Sequence, residues 1–362
     1  MEAPPAPRRP LAPRLAAAIL LPAASLAAAE ATVRLVDLTT LDRAAILDQD
    51  RRAVADLAEI AGFFGDPDGT PPPGSMTQLP CGAVSYGWYD RPRWSYFDTL
   101  GCIEYRFNSL GFRDAEFPRE KPAGERRVLA LGDSFTFACG VRLEDCWVER
   151  LEDKLAAARG APAQVVNAGF AHGFRPDMYA DWLEERGVAL DPDAVIVGLC
   201  LNDISAEVPM YLPLEPHFEP WLGGKSRLLA ELQRRLGPPL PAPAPNPIRA
   251  RRLVQQHTDE WGATRSGLRR IRDCMAARGG RLLVVVFPMF SQLASGYLFG
   301  ELHELVRDAC AEDGIDRLDL LPVFAGTDER ELWVHPTDQH PNDVGQERIA
   351  AAIADWAAQN WK

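Results

Sequence analysis

Four almost uninterrupted apolar runs constrain this chain more than any other feature: RVLAL (127–131), QVVNA (164–168), AVIVGLC (194–200) and RLLVVVF (281–287). A strand with one face in water alternates polar and apolar residues, and these do not, so both of their faces are covered. Helix-like stretches separate them. DCWVERLEDKLAAARG has Asp145 placed as an N-cap and Gly160 as its stop, and a second helix is expected near 176–186. IDRLDL (315–320) reads as a fifth strand. The last helix, 343–359, has Asn342 at its cap and Val344, Ile349, Ile353 and Trp356 along one side. Strands alternating with helices in this way predict an α/β fold, a three-layer α/β/α sandwich on a mainly parallel five-stranded sheet.

The 362 residues exceed what such a sheet needs. Arg8, Arg9 and Arg14 precede an apolar run, LAAAILLPAASLAAA (15–29), that ends in small residues before Glu30. A basic start, an apolar centre and a small-residue end are the layout of an export signal. The alternative is an uncleaved membrane anchor, but fifteen residues make about 22 Å of helix against a hydrocarbon core of about 30 Å, and Pro22 interrupts them. Residues 1–29 are thus expected to direct export to the periplasm or beyond, with the protein either released after Ala29 or held at the membrane. Residues 30–124 form an accessory region: a helical pattern (41–64), a breaker-rich loop (65–75), then aromatic strand signals in SYGWYD and IEYRFNSLGFRD. Residues 125–362 form the α/β domain, interrupted at about 205–250 by a proline-rich insertion that is either a lid or a surface excursion.

A net charge of −12 excludes a nucleic-acid partner, which needs a basic face. Among seven cysteines, Cys81 with Cys102 and Cys139 with Cys146 are candidate disulfides, whereas Cys200, inside an apolar strand, reads as a buried hydrophobe. No CxxC pair supports a zinc ribbon or a redox motif.

Ligands of open parallel sheets bind beyond the carboxyl ends of the strands. Three such ends carry polar signatures: Gly132-Asp133-Ser134, NAGFAHG (167–173) and GLCLND (198–203). HPTDQHPNDVG (335–345) follows the fifth strand. Serine, histidine and aspartate in this order suit nucleophilic catalysis. A serine hydroxyl attacks only when a neutral imidazole takes its proton, and a carboxylate fixes the imidazole tautomer. The oxyanion then needs preorganised donors.

These blocks resemble those of the SGNH hydrolases, the GDSL lipase/esterase family, across roughly 126–356, and NSLGFRD (108–114) is similar to bacterial exported members. The resemblance implies the flavodoxin-like SGNH fold, with Ser134 as nucleophile, His340 as base and Asp338 as its orienting acid. It implies an oxyanion hole from the Ser134 N–H, the Asn202 amide and a glycine N–H, assigned to Gly173 with Gly169 as the alternative. The family's last block is often D-x-x-H; here it is D-x-H.

Each residue also has a plainer reading. Gly-Asp-Ser is a common turn, Asn202-Asp203 an ordinary strand exit, and Asp338 with His340 a solvated loop. Asp133 reads as a turn residue rather than a modulator of His340. His335, Asp338 and His340 form no metal site without a third firm ligand, and no cofactor is expected. His172 lies beside the oxyanion loop, and His217, His257 and His303 read as structural residues without nearby partners. Taken together the blocks predict an exported serine esterase that cleaves an acyl ester, such as an O-acetyl group, on a glycan or lipid. The alternatives are an O-acetyltransferase acting on an exported polysaccharide and a non-catalytic glycan-binding protein of the same fold.

Overall fold

The apolar runs become strands because their β-branched and leucine side chains find cover on both faces. The structure, a computed structural model, describes residues 24–32, 84–89, 92–170, 174–205, 208, 258–294, 296–335 and 338–361. In chain order its strands are β1 (Val84–Trp88), β2 (Cys102–Arg106), β3 (Arg126–Gly132), β4 (Ala163–Gly169), β5 (Ala194–Leu199), β6 (Arg281–Val286), β7 (Asp316–Asp319), β8 (Trp333–His335) and β9 (Asp338–Pro341). Five of them form a sheet in the order β4-β3-β5-β6-β7, parallel at every pairing. Leu129, Leu131, Val195, Ile196, Val284 and Val285 are fully buried in it. β1 pairs antiparallel with β2, and β8 with β9.

The main helices are α1 (Ser134–Phe137), α2 (Trp147–Arg159), α3 (Pro176–Glu185), α4 (Thr258–Ala276), α5 (Gly300–Asp313), α6 (Leu321–Phe324) and α7 (Asp343–Asn360). From β3 the chain steps one way to β4, then back over β3 to β5. Crossovers of one hand running in opposite directions place α2 and α3 on opposite faces. The packing agrees: α2 lies against α7, and α3 against α4. The strand order therefore reverses beside β3, where open sheets leave a crevice.

Three local expectations need correction. Helix α2 begins at Trp147 with no side-chain cap. Asp145 instead accepts hydrogen bonds from Arg142 Nε (2.8 Å) and Arg150 Nη2 (2.7 Å), an ionic use that outcompetes the cap. The helix does stop at Gly160, which takes the left-handed conformation at φ 58°. In α7 the Asn342 side chain accepts from Gly345 N, as a cap should, and Ile349 and Ile353 are buried, but Val344 lies on the exposed side. Cys139 and Cys146 are free thiols, so no bridge joins them. Cys200 is fully buried.

The chain divides into two compact units, Met1–Arg52 with Pro213–Ala244, and Ala53–Leu212 with Pro245–Lys362. In the first, residues 24–32 are helical. All the strands and helices named above belong to the second. Among the described residues no helix is long and apolar enough to cross a membrane. The expected helix at 41–64, the loop at 65–75, Cys81, His217, His257 and nearly all of the insertion lie outside the described residues.

Candidate active site

Register decides where the polar strand ends meet. Gly132 of β3 pairs with Gly169 of β4 on one side and Gly198 of β5 on the other, so three glycines stand at one level near the carboxyl ends of these strands. These glycines let α1 rest directly on the sheet edge. A Cβ at Gly132 or Gly198 would stand 2.1 or 2.3 Å from Thr136 Oγ1, and one at Gly169 would stand 2.2 Å from Phe137 N. Asp133 caps α1 by accepting from Phe135 N at 2.9 Å, which brings Ser134 to the first helical position. The helix lasts four residues before Ala138 turns left-handed at φ 63°. So short a helix contributes little macrodipole, and the Ser134 environment is made by neighbours instead.

The last hairpin delivers those neighbours. Asp338 and His340 are two apart on β9, and strand periodicity puts both side chains on one face. His340 Nε2 lies 2.7 Å from Ser134 Oγ, across 206 residues of sequence. Its Nδ1 meets Asp338 Oδ1 at 2.5 Å, and the same oxygen accepts the His340 backbone N–H at 3.1 Å. The other oxygen, Oδ2, accepts from Tyr89 OH at 2.6 Å. Ser134 and His340 are each only 7% exposed, so these contacts are made largely out of water.

Burial alone would depress the His340 pKa, but the facing Asp338 carboxylate and its hydrogen bond prevail, and the pKa lies above the ordinary value. Burial would raise that of Asp338, yet the His340 charge, with hydrogen bonds from His340 and Tyr89, holds it below the usual carboxylate value. The pair therefore favours the imidazolium–carboxylate state that follows proton transfer from a serine. Burial raises the Asp133 pKa, offset in part by the Phe135 N–H and by His340.

Asn202 sits in the 3₁₀ turn 201–203 directly after β5, which Asp203 tightens by accepting from Cys200 N at 3.1 Å. Its Nδ2 makes a long hydrogen bond, 3.5 Å, to Asp133 Oδ2, and its Oδ1 is buried with no partner. Gly169, one of the two expected glycine donors, already gives its N–H to Asn167 Oδ1 at 3.1 Å. Gly173 and His172 lie outside the described residues. His335 packs against the Tyr89 ring, 5.6 Å between centroids. Among the described residues no group of three His, Cys, Asp or Glu side chains is arranged to hold a metal.

The accessory region supports both halves of this cluster. Arg113 of NSLGFRD is 2% exposed and donates to the carbonyls of Phe137, Ala138 and Val141, the open end of α1. Its guanidinium lies over the Tyr105 and Phe137 rings, at 4.6 and 4.9 Å. Tyr105 OH accepts from Gly140 N at 2.8 Å, and Asp114 Oδ2 accepts from Asn167 N at 2.8 Å. Sequence reasoning did not single out Tyr89, Arg113 or Tyr105; the available signals were the aromatic stretches SYGWYD and IEYRFNSLGFRD that contain them. His303 is structural, as expected, but it does have partners. Its Nδ1 meets Asp319 Oδ1 at 2.8 Å and its Nε2 meets Tyr297 OH at 3.0 Å, a satisfied structural network at the end of β7.

The family model described as GDSL-like lipase/acylhydrolase matches residues 130–348. Among solved structures, a two-domain esterase active on acetylated mannans, co-crystallized with mannopentaose, is 18% identical, with 66% of this chain and 50% of that chain covered and a TM-score of 0.38. The lipase/acylhydrolase from Enterococcus faecalis is 17% identical, with 65% and 96% covered and a TM-score of 0.40. A putative lipolytic protein of the G-D-S-L family from Desulfitobacterium hafniense is 16% identical, with 63% and 98% covered and a TM-score of 0.36. The match thus spans half the length of the two-domain esterase. A comparison with curated proteins finds no match.

Proposed function

The chain belongs to the GDSL-like lipase/acylhydrolase family, and from that premise we propose that it is an exported serine esterase working through Ser134, His340 and Asp338. The observation that carries this reading is the continuous hydrogen-bonded run from Ser134 Oγ to His340 Nε2 and from His340 Nδ1 to Asp338. In the proposed reaction His340 Nε2 takes the Ser134 proton as Oγ bonds to the acyl carbon, and the carbonyl pair moves onto oxygen. The oxyanion is met by the N–H groups of Ser134 and Gly173 and by the Asn202 amide. The tetrahedral species collapses, the ester C–O bond breaks, and His340 returns the proton to the leaving alcohol. Water, deprotonated by the same imidazole, then releases the acid from the acyl-enzyme. The proposed substrate is an O-acyl group on a glycan or lipid, in keeping with an N-terminus patterned for export.

A serine-directed fluorophosphonate should add one adduct on the Ser134 peptide, and Ser134→Ala should abolish it. Labelling that survives the substitution overturns the assignment. A panel of acetyl and longer acyl esters, with and without a glycan acceptor, then separates hydrolysis from transfer. Export is tested by fractionating cells that express the full chain; protein confined to the cytoplasm contradicts it.

A further inference from the structure

A hydroxyl from outside the family-matched segment reaches the acid of the site. Tyr89 follows β1 and stands 249 residues from Asp338, yet its OH donates to Asp338 Oδ2 at 2.6 Å. We propose that Tyr89 is a positioning residue of the hydrolytic site, locking the Asp338 carboxylate so that it presents Oδ1 to His340.

The spacing of the acid and base explains why a lock is needed. With one residue between them, Asp338 and His340 share a strand, and both contacts that His340 makes, from N and Nδ1, fall on Oδ1. A carboxylate held by one oxygen can pivot about its χ2 axis, a broad torsion for aspartate. The Tyr89 hydroxyl occupies the second oxygen and removes that freedom. The tyrosine is itself held: its ring stands edge-on to Phe97 at 5.2 Å and against His335 at 5.6 Å. The flanking chain is anchored to the hairpin that carries the pair, where Trp94 Nε1 donates to Trp333 O at 2.8 Å, and to the turn before it, where Arg93 Nη1 donates to Arg330 O at 3.1 Å. Burial, with the Tyr105 and Asp338 charges behind it, drives the Tyr89 pKa far upward, so the phenol remains a donor.

The hydroxyl also tunes the base. By drawing carboxylate charge toward Oδ2 it lessens the charge at Oδ1 that stabilises imidazolium. Among the described residues, the other titratable groups around the pair include Asp133 from the end of β3, Tyr96 and Tyr105 from the accessory region, Cys139 after α1 and His335 against the Tyr89 ring. All of them remain in Tyr89→Phe, which keeps the ring and removes only the hydroxyl.

This inference rests on the hydrolase reading, and the experiment separates the two. The rate of fluorophosphonate labelling at Ser134 is measured against pH for wild type and Tyr89→Phe, both confirmed folded by thermal melting. The low-field ¹H resonance of the His340 Nδ1–H is recorded in parallel, without any substrate. The expected result for Tyr89→Phe is a plateau rate about tenfold lower, an acid limb moved to higher pH, and a shifted or broadened Nδ1–H resonance. An unchanged limb and resonance, whatever the plateau, overturn the positioning role. Wild-type protein that does not label at Ser134 overturns the hydrolase reading, while an unshifted resonance in Tyr89→Phe overturns the positioning role on its own.

Discussion

Asn202 is the residue at which a catalytic and a structural account diverge most sharply. Its amide contacts Asp133 only at 3.5 Å, and its turn is already closed by Asp203 and Cys200. If the amide meets charge that develops in the transition state, its loss lowers kcat far more than it alters KM. Removing one such donor typically costs about 10²–10³ in kcat, roughly 2.7–4 kcal/mol. Asn202→Asp is the sharper variant, since it keeps the shape but turns an acceptor, beside the Asp133 carboxyl, toward the oxyanion. Kinetics on a small acyl ester, normalised to folded protein, are expected to show that loss in Asn202→Asp; near-wild-type turnover would exclude the residue from the oxyanion hole. The residues named for catalysis were legible because Ser134, Asn202 and His340 close recognisable blocks at strand ends. Tyr89 and Arg113 were not. Their partners are backbone carbonyls and a carboxylate far along the chain, and no periodicity or spacing encodes such contacts.

At the scale of elements, the least self-sufficient piece is α1. One turn of helix cannot satisfy its own terminal carbonyls, and the bridging donor is the buried Arg113. Arg113→Met keeps much of the apolar stem but leaves the carbonyls of Phe137, Ala138 and Val141 without that donor. Buried acceptors without a donor cost about 1–3 kcal/mol each, so the loss is on the order of 3 kcal/mol after partial relaxation. In a domain of this size that lowers Tm by roughly 6–12 °C in a melting experiment. A shift under about 2 °C would mean that water or a local rearrangement replaces the guanidinium. The strands themselves were easy to read, since continuous apolar runs have few other uses. Helix starts were harder. Asp145 looks like a cap, but two nearby arginines claim its carboxylate, and a linear reading does not weigh that competition.

The whole molecule carries a buried acidic cluster that joins the accessory region to the domain. Asp114, from NSLGFRD, interacts electrostatically with Glu149 of α2, and Asp114 Oδ1 and Glu149 Oε1 are buried with no hydrogen-bond partner. Burial, then the Glu149 charge, raises the Asp114 pKa, and burial raises that of Glu152 to about 7. Glu152 is protonated in both states at low pH and ionised in both above about 7. Between its unfolded value, about 4.3, and 7 the folded protein holds a proton that the unfolded chain has released, so stability contributed by this group falls as pH rises. Glu152→Gln can still accept from Val165 N and is expected to flatten the decline of Tm across that window. Parallel Tm-against-pH slopes in the two proteins would exclude Glu152 as a source of the pH dependence. Such a cluster is invisible in sequence, where Asp114, Glu149 and Glu152 look like ordinary surface charges.

The distance along the chain between nucleophile and base has a consequence in time. Ribosomes release Ser134 206 residues before His340, and N-terminal parts of a chain fold first. Until the final hairpin arrives, the serine is an ordinary alcohol with no base beside it. A nascent chain, or one threading unfolded through an envelope on the export route proposed above, carries its reactive group unarmed. On that reading, activity begins only when the hairpin of β8 and β9 closes on α1.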